Sequence, residues 1–134
     1  MPDAETFFDT NVLLYLLSAE TAKADRAEEL LAGGGVISVQ VLNEFAAVAT
    51  RKLNMSWREI REALNPIRII CQIESVTVDS HDRAIVLAAR YGFTIYDATI
   101  VASALLAGCK VLYSEDLQDG QTIDKQLTIR NPFA

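Results

Sequence analysis

Short runs of β-branched and aromatic residues alternate along this chain with longer stretches of helical periodicity, and that alternation restricts its fold more than any other feature. "TFF" (6–8), "VIS" (36–38), "SVTV" (75–78), "KVLYS" (110–114) and "LTIRN" (127–131) read as strands. Helical patterns fill the intervals: "NVLLYLLS", then 20–33, 39–53, 56–73 as one or two helices, 80–92 and 96–108. Parallel strands need crossover helices between them. The pattern therefore predicts an α/β fold, a central parallel sheet of four to five strands flanked by helices on both faces. "GGG" (33–35) and Gly92 are expected to end helices, Ser56 and Glu59 to form a capping box, and Pro66 to kink or divide the 56–73 segment.

With 134 residues, 51% of them hydrophobic, the chain can bury a sizeable core, and residues 1–134 are expected to form a single domain. Cys71 and Cys109 lie far apart in apolar stretches, away from any zinc-ligand spacing, and read as buried free thiols. The start "MPDAETFF" has no basic region followed by an apolar one, and no apolar run is long enough to cross a bilayer. A soluble cytoplasmic protein with no membrane partner is the expectation. The net charge of -6 argues against a protein that coats nucleic acid non-specifically. Local patches differ: 51–68 carries Arg51, Lys52, Arg58, Arg61 and Arg68 against Glu59 and Glu62, whereas 114–124 carries acids and no base.

Three acids stand on apolar helix faces. Asp9 is followed at i+3, i+4 and i+7 by Val12, Leu13 and Leu16; Asp97 by Ile100, Val101 and Ala104; and Glu44 sits among Val41, Phe45 and Val48. Burying an ionised carboxylate is costly unless it is paired, hydrogen-bonded or bound to a cation. Asp116 follows strand 110–114 at its carboxyl end, where open α/β sheets place ligands, with Asp119 three residues on. Each acid has an ordinary explanation on its own. Asp9 and Asp97 stand where helix caps stand; Glu44 can pair with Arg51; Asp116 and Asp119 can be solvated loop residues. Taken together they fit a hard-cation site for Mg²⁺ or Mn²⁺ better than four separate accidents.

Other chemistries lose ground. There is no G-x-G-x-x-G or Walker loop, and the one histidine, His81, stands at the polar start of a helix, so a Ser-His-Asp arrangement has no base. A receiver-like signalling domain needs an adjacent acidic pair after the first strand and a lysine after the last; Asp9 is alone and "LTIRNPFA" has no lysine.

Four segments in order, "FFDTNVLLY", "NEF", "YDATIVASAL" and "LYSEDL", resemble those of PIN-domain ribonucleases, in particular the VapC-like toxins of bacterial and archaeal toxin–antitoxin pairs. The resemblance spans nearly the whole chain. It implies that Asp9, Glu44, Asp97 and Asp116 are an acidic quartet binding one or two Mg²⁺ or Mn²⁺ ions for RNA hydrolysis, with Asp119 as a further ligand. Thr10, Asn11 and Ser114 match residues that shape such a site. It also implies a homodimer and a cognate antitoxin that covers the acidic pocket, often with an inserted arginine or lysine.

A net-negative protein that cuts RNA needs a local basic surface, for which Arg51, Lys52, Arg58 and Arg61 are the candidates; the alternative is a solvated helix face. Trp57 and Ile60 are apolar positions suited either to an interface or to packing between helices. Two other readings of the resemblance are an RNA-processing PIN nuclease outside any toxin pair and a PIN-like module retained only for binding.

Overall fold

The computed structural model describes residues 4–133. In chain order the elements are β1 (Thr6–Phe8), α1 (Thr10–Leu14) with a 3-10 turn at Tyr15–Leu17, α2 (Thr21–Leu31), β2 (Gly35–Ser38), α3 (Val39–Lys52) and α4 (Trp57–Ile70). Then follow β3 (Cys71–Glu74), α5 (Val78–Tyr91), α6 (Ile95–Leu106), β4 (Val111–Tyr113), β5 (Thr122–Ile123) and β6 (Leu127–Arg130).

The strands form one sheet in the order β3-β2-β1-β4-β6-β5, all parallel except the edge strand β5. Phe7 on β1 is in register with Val36 on one side and Leu112 on the other. Strand order reverses at β1: β2 and β3 extend one way, β4 and β6 the other. In open α/β sheets the crevice at such a reversal, outside the carboxyl ends of the strands, is where ligands bind. Here those ends deliver Asp9 after β1 and Ser114 after β4.

The core is built from the central strands, with every residue of β2 buried, and from α6, in which every residue from Ala98 to Leu105 is buried. Phe7, Ile37, Phe45, Leu87, Leu112 and Ile129 are fully enclosed. α5 packs along α6, while α3 packs against α1 and α4. Gly35 is fixed by close approach: a Cβ there would run into the Phe8 ring and the Thr6 carbonyl.

Three expectations need correction. The third strand is Cys71–Glu74, in register with Gly35–Ser38, and not 75–78. Thr77 instead caps α5 through reciprocal hydrogen bonds with Ser80, which takes 75–77 out of the sheet. Pro66 does not divide its helix; Pro66 and Glu62, whose carbonyl loses its N–H partner, are both exposed, so water can satisfy it. The sheet has six strands, not four to five, because two-residue β5 returns along β6 through a turn with Asp124 and Lys125 at positive φ.

Candidate active site

Asp9 lies at the junction of β1 and α1, 4% exposed. One carboxylate oxygen accepts the Thr10 N–H at 2.6 Å, capping α1, and the other accepts the Ser114 hydroxyl at 2.8 Å. Burial pushes the Asp9 carboxyl up to about 7 despite both hydrogen bonds, and the charges of Glu44 and Asp116 push it the same way. Ser114 Oγ also accepts the backbone N–H groups of Asp116 (3.2 Å) and Leu117 (3.3 Å), curling the loop after β4 around itself. Asn11 staples that loop to α1: its Nδ2 donates to Asp116 Oδ2 at 3.1 Å, and its Oδ1 accepts the Glu115 N–H at 3.2 Å.

Glu44 reaches the same place from α3. Its Oε1 accepts the Thr10 hydroxyl at 3.0 Å and its Oε2 accepts Gln40 Nε2 at 3.2 Å. Gln40 Nε2 also donates to the Tyr96 carbonyl at 2.9 Å, tying α3 to the first turn of α6. Arg51 does not pair with Glu44; its Nε donates to the Ala47 carbonyl at 3.2 Å. Asp97 is the third residue of α6 and not its cap, a role that falls to Thr94, whose Oγ1 accepts the Asp97 N–H at 3.2 Å. Burial raises the Asp97 carboxyl above its ordinary range, opposed by a hydrogen bond with Thr94 and reinforced by the Asp116 charge.

Asp9, Glu44, Asp97 and Asp116 thus line one cleft of about 360 Å³, with Thr10, Asn11, Arg51 and Tyr96 and an apolar wall of Leu14, Ala47 and Val48. Asp119 is not among them; its Oδ1 accepts the Asn131 N–H at 2.9 Å beyond β6. Glu115 is held outside the cleft as well, accepting the Tyr15 hydroxyl at 2.8 Å and pairing with Lys23 at 3.5 Å. Of the basic candidates only Arg51 lines the cleft. Lys52 is exposed, Arg58 pairs with Glu62 at 3.3 Å, and Arg61 borders a separate hollow between α3 and α4. Trp57 is 71% exposed, whereas Ile60 is buried.

The donor set is oxygen throughout, which suits a hard divalent cation. Among the described residues no three acids, cysteines or histidines are drawn together tightly enough to enclose an ion. An open wall of this kind fits Mg²⁺, which keeps several waters and is usually held by one or two carboxylates plus substrate phosphate. Gln40 and Tyr96 were not singled out from the sequence. Gln40 stands one helical turn before Glu44, and Tyr96 directly before Asp97; both spacings were visible.

Solved structures with a similar fold include three from toxin–antitoxin systems. The crystal structure of VapC20 from Mycobacterium tuberculosis, described as a sarcin–ricin-loop-cleaving toxin, is 26% identical, with a TM-score of 0.68 over 83% of this chain and 89% of that one. A toxin–antitoxin complex from Klebsiella pneumoniae matches at 22% identity, TM-score 0.72, over 95% and 97%. VapBC2 from Rickettsia felis, bound to a promoter DNA fragment, matches at 17% identity, TM-score 0.67, over 94% and 97%. No curated protein sequence matches. The family profile of the PIN domain matches residues 6–118, and with that span, covering all four cleft acids, the chain belongs to the PIN-domain family.

Proposed function

We propose that this protein is a divalent-metal-dependent endoribonuclease and the toxin of a toxin–antitoxin pair. The observation that carries the reading is the convergence of Asp9, Glu44, Asp97 and Asp116, from four separate segments, on one cleft in a PIN-domain protein. Asp9, Asp97, Glu44 and Asp116 are the residues that would hold Mg²⁺ or Mn²⁺. When bound there, such an ion would supply Lewis acidity, activating water and offsetting charge on the phosphoryl oxygens.

The chain's own residues keep the carboxylates in position. Ser114 and the Thr10 N–H fix both oxygens of Asp9, Thr10 Oγ1 and Gln40 fix Glu44, and Asn11 fixes Asp116. Arg51 is the cationic side chain in the cleft lining and is placed to meet an incoming phosphate. Lys52, Arg58 and Arg61 add sequence-independent affinity from outside it.

The antitoxin part rests on the two structural likenesses that are toxin–antitoxin assemblies. A cognate antitoxin carrying an arginine or lysine into the cleft would neutralise the acids and exclude RNA. Assembly as a homodimer belongs to the same proposal and is checked by light scattering. The function is tested by incubating the purified protein with single-stranded RNA and Mg²⁺, with and without chelator. Internal cleavage that stops with chelator is expected; intact RNA in both samples contradicts the reading. Growth arrest on expression, relieved by the product of the adjacent reading frame, separates a toxin from a nuclease of RNA processing.

A further inference from the structure

Glu44 is a wall shared by two hollows. Beside the acidic cleft lies a second one of about 400 Å³, bounded by Val39, Ala47 and Val76 and by Gln40, Asn43 and Tyr96; Ala47 and Tyr96 also line the cleft. Its size is within the range that holds small ligands. Tyr96 is 68% exposed on the first turn of a helix whose next eight residues after Asp97 are buried, so its ring adds nothing to the core. Val39 and Val76 are partly open to solvent. Among the described residues the Tyr96 hydroxyl, the Asn43 amide and Gln40 Oε1 have no hydrogen-bond partner, while Gln40 Nε2 is held by Glu44 and the Tyr96 carbonyl.

We propose that this hollow is a nucleobase subsite for the nucleotide next to the scissile phosphate, with Tyr96 stacking on the base and Gln40 and Asn43 bonding to its edge. The proposal rests on the nuclease reading of the adjacent cleft. Unpaired RNA is recognised in this manner, with splayed bases stacked on aromatic rings and hydrogen-bonded along their edges. An apolar side chain of a protein partner would fill the hollow but leave the Asn43 amide and Gln40 Oε1 without partners, whereas a base edge offers a donor to Gln40 Oε1 and both donors and acceptors to Asn43. Gln40 links the two hollows, since the amide that would read the base also orients Glu44. A preference for the base at one position next to the cut follows.

The test is equilibrium binding of short fluorescent single-stranded RNAs to the Asp97→Asn protein in Mg²⁺, so that RNA is bound but not cut. Tyr96→Leu and Tyr96→Phe are compared on intact RNAs and on RNAs carrying one abasic nucleotide, scanned along the strand. Tyr96→Leu is expected to weaken binding of intact RNA by about 5- to 150-fold, the range for losing one base stack, while Tyr96→Phe stays near the parent. At one abasic position the Tyr96→Leu effect disappears, because both changes remove the same contact. Equal weakening of intact and abasic RNA at every position overturns the subsite. So does unchanged RNA binding, including the case where Tyr96→Leu loosens only a protein partner. An uncut RNA substrate with active-site residues intact, combined with this non-additivity, leaves the subsite standing and removes the nuclease reading; cleavage without it does the reverse.

Discussion

Asp9 is folded into a place where its charge is unfavourable, and the pH dependence of stability follows from that. Its carboxyl is raised from 3.8 to about 7, so between those values the folded protein keeps a proton that the unfolded chain has released. Stability contributed at low pH is therefore lost as pH rises through that window and levels off above about 7, a change on the order of 4 kcal/mol. Asp9→Asn is expected to raise the melting temperature of the metal-free protein at pH 8, with the gain shrinking towards pH 4, while abolishing cleavage. Calorimetry in chelator at both pH values checks this; an Asp9→Asn protein no more stable than the parent at pH 8 contradicts it. Ser114→Ala removes the donor to Asp9 and the acceptor for two N–H groups. A loss of about 1–3 kcal/mol in urea denaturation is predicted for this fully buried hydroxyl. The acids were legible because carboxylates on apolar helix faces are rare enough to notice. What holds them was less so: a pattern along one helix shows that Glu44 faces inward but not that Thr10, 34 residues earlier, meets it.

At the scale of elements, the sequence patterns located helices better than strands. α3, α5 and α6 lie within two residues of where their periodicity put them, with Gly92 closing α5 in the left-handed conformation, while Thr77 and Thr94 supply N-caps that the pattern did not mark. β3 was displaced because "SVTV" has the stronger β composition, yet the pairing of Cys71–Glu74 with β2 and the Thr77–Ser80 cap outweigh it. Two-residue β5 is too short to carry any periodicity. Gly35 and Gly33 provide a paired test within one turn-strand segment. A Cβ at Gly35 meets the Phe8 ring, whereas none of the surrounding atoms lies within 4 Å of one at Gly33. Gly35→Ala is expected to destabilise by about 1–3 kcal/mol through overpacking, and Gly33→Ala to change stability by less than about 0.5 kcal/mol. Equal effects in chemical denaturation would show that β1 and β2 are not packed as described.

For the whole molecule, the reversal of strand order at β1 turns four distant segments into one site. Asp9, Glu44, Asp97 and Asp116 are spread over 108 positions of the chain and meet because β1, β2 and β4 lie side by side. For the proposed nuclease, the net charge of -6 requires that RNA affinity come from a local surface. Replacing Arg51, Lys52, Arg58 and Arg61 by Gln is predicted to weaken RNA binding and flatten its salt dependence, measured by titration at several salt concentrations. An unchanged salt slope would move the RNA path off α3 and α4.

If the four carboxylates act together on a divalent ion, the rate of RNA cleavage in Mg²⁺ by single Asp9→Asn, Glu44→Gln, Asp97→Asn and Asp116→Asn proteins depends on each of them. Every variant is expected to remain folded by circular dichroism and to lose at least about 100-fold in rate, the scale of a lost electrostatic contribution of about 3 kcal/mol. Folded variants that cut RNA at the parental rate, or a parent protein that cuts equally well in chelator, would contradict it.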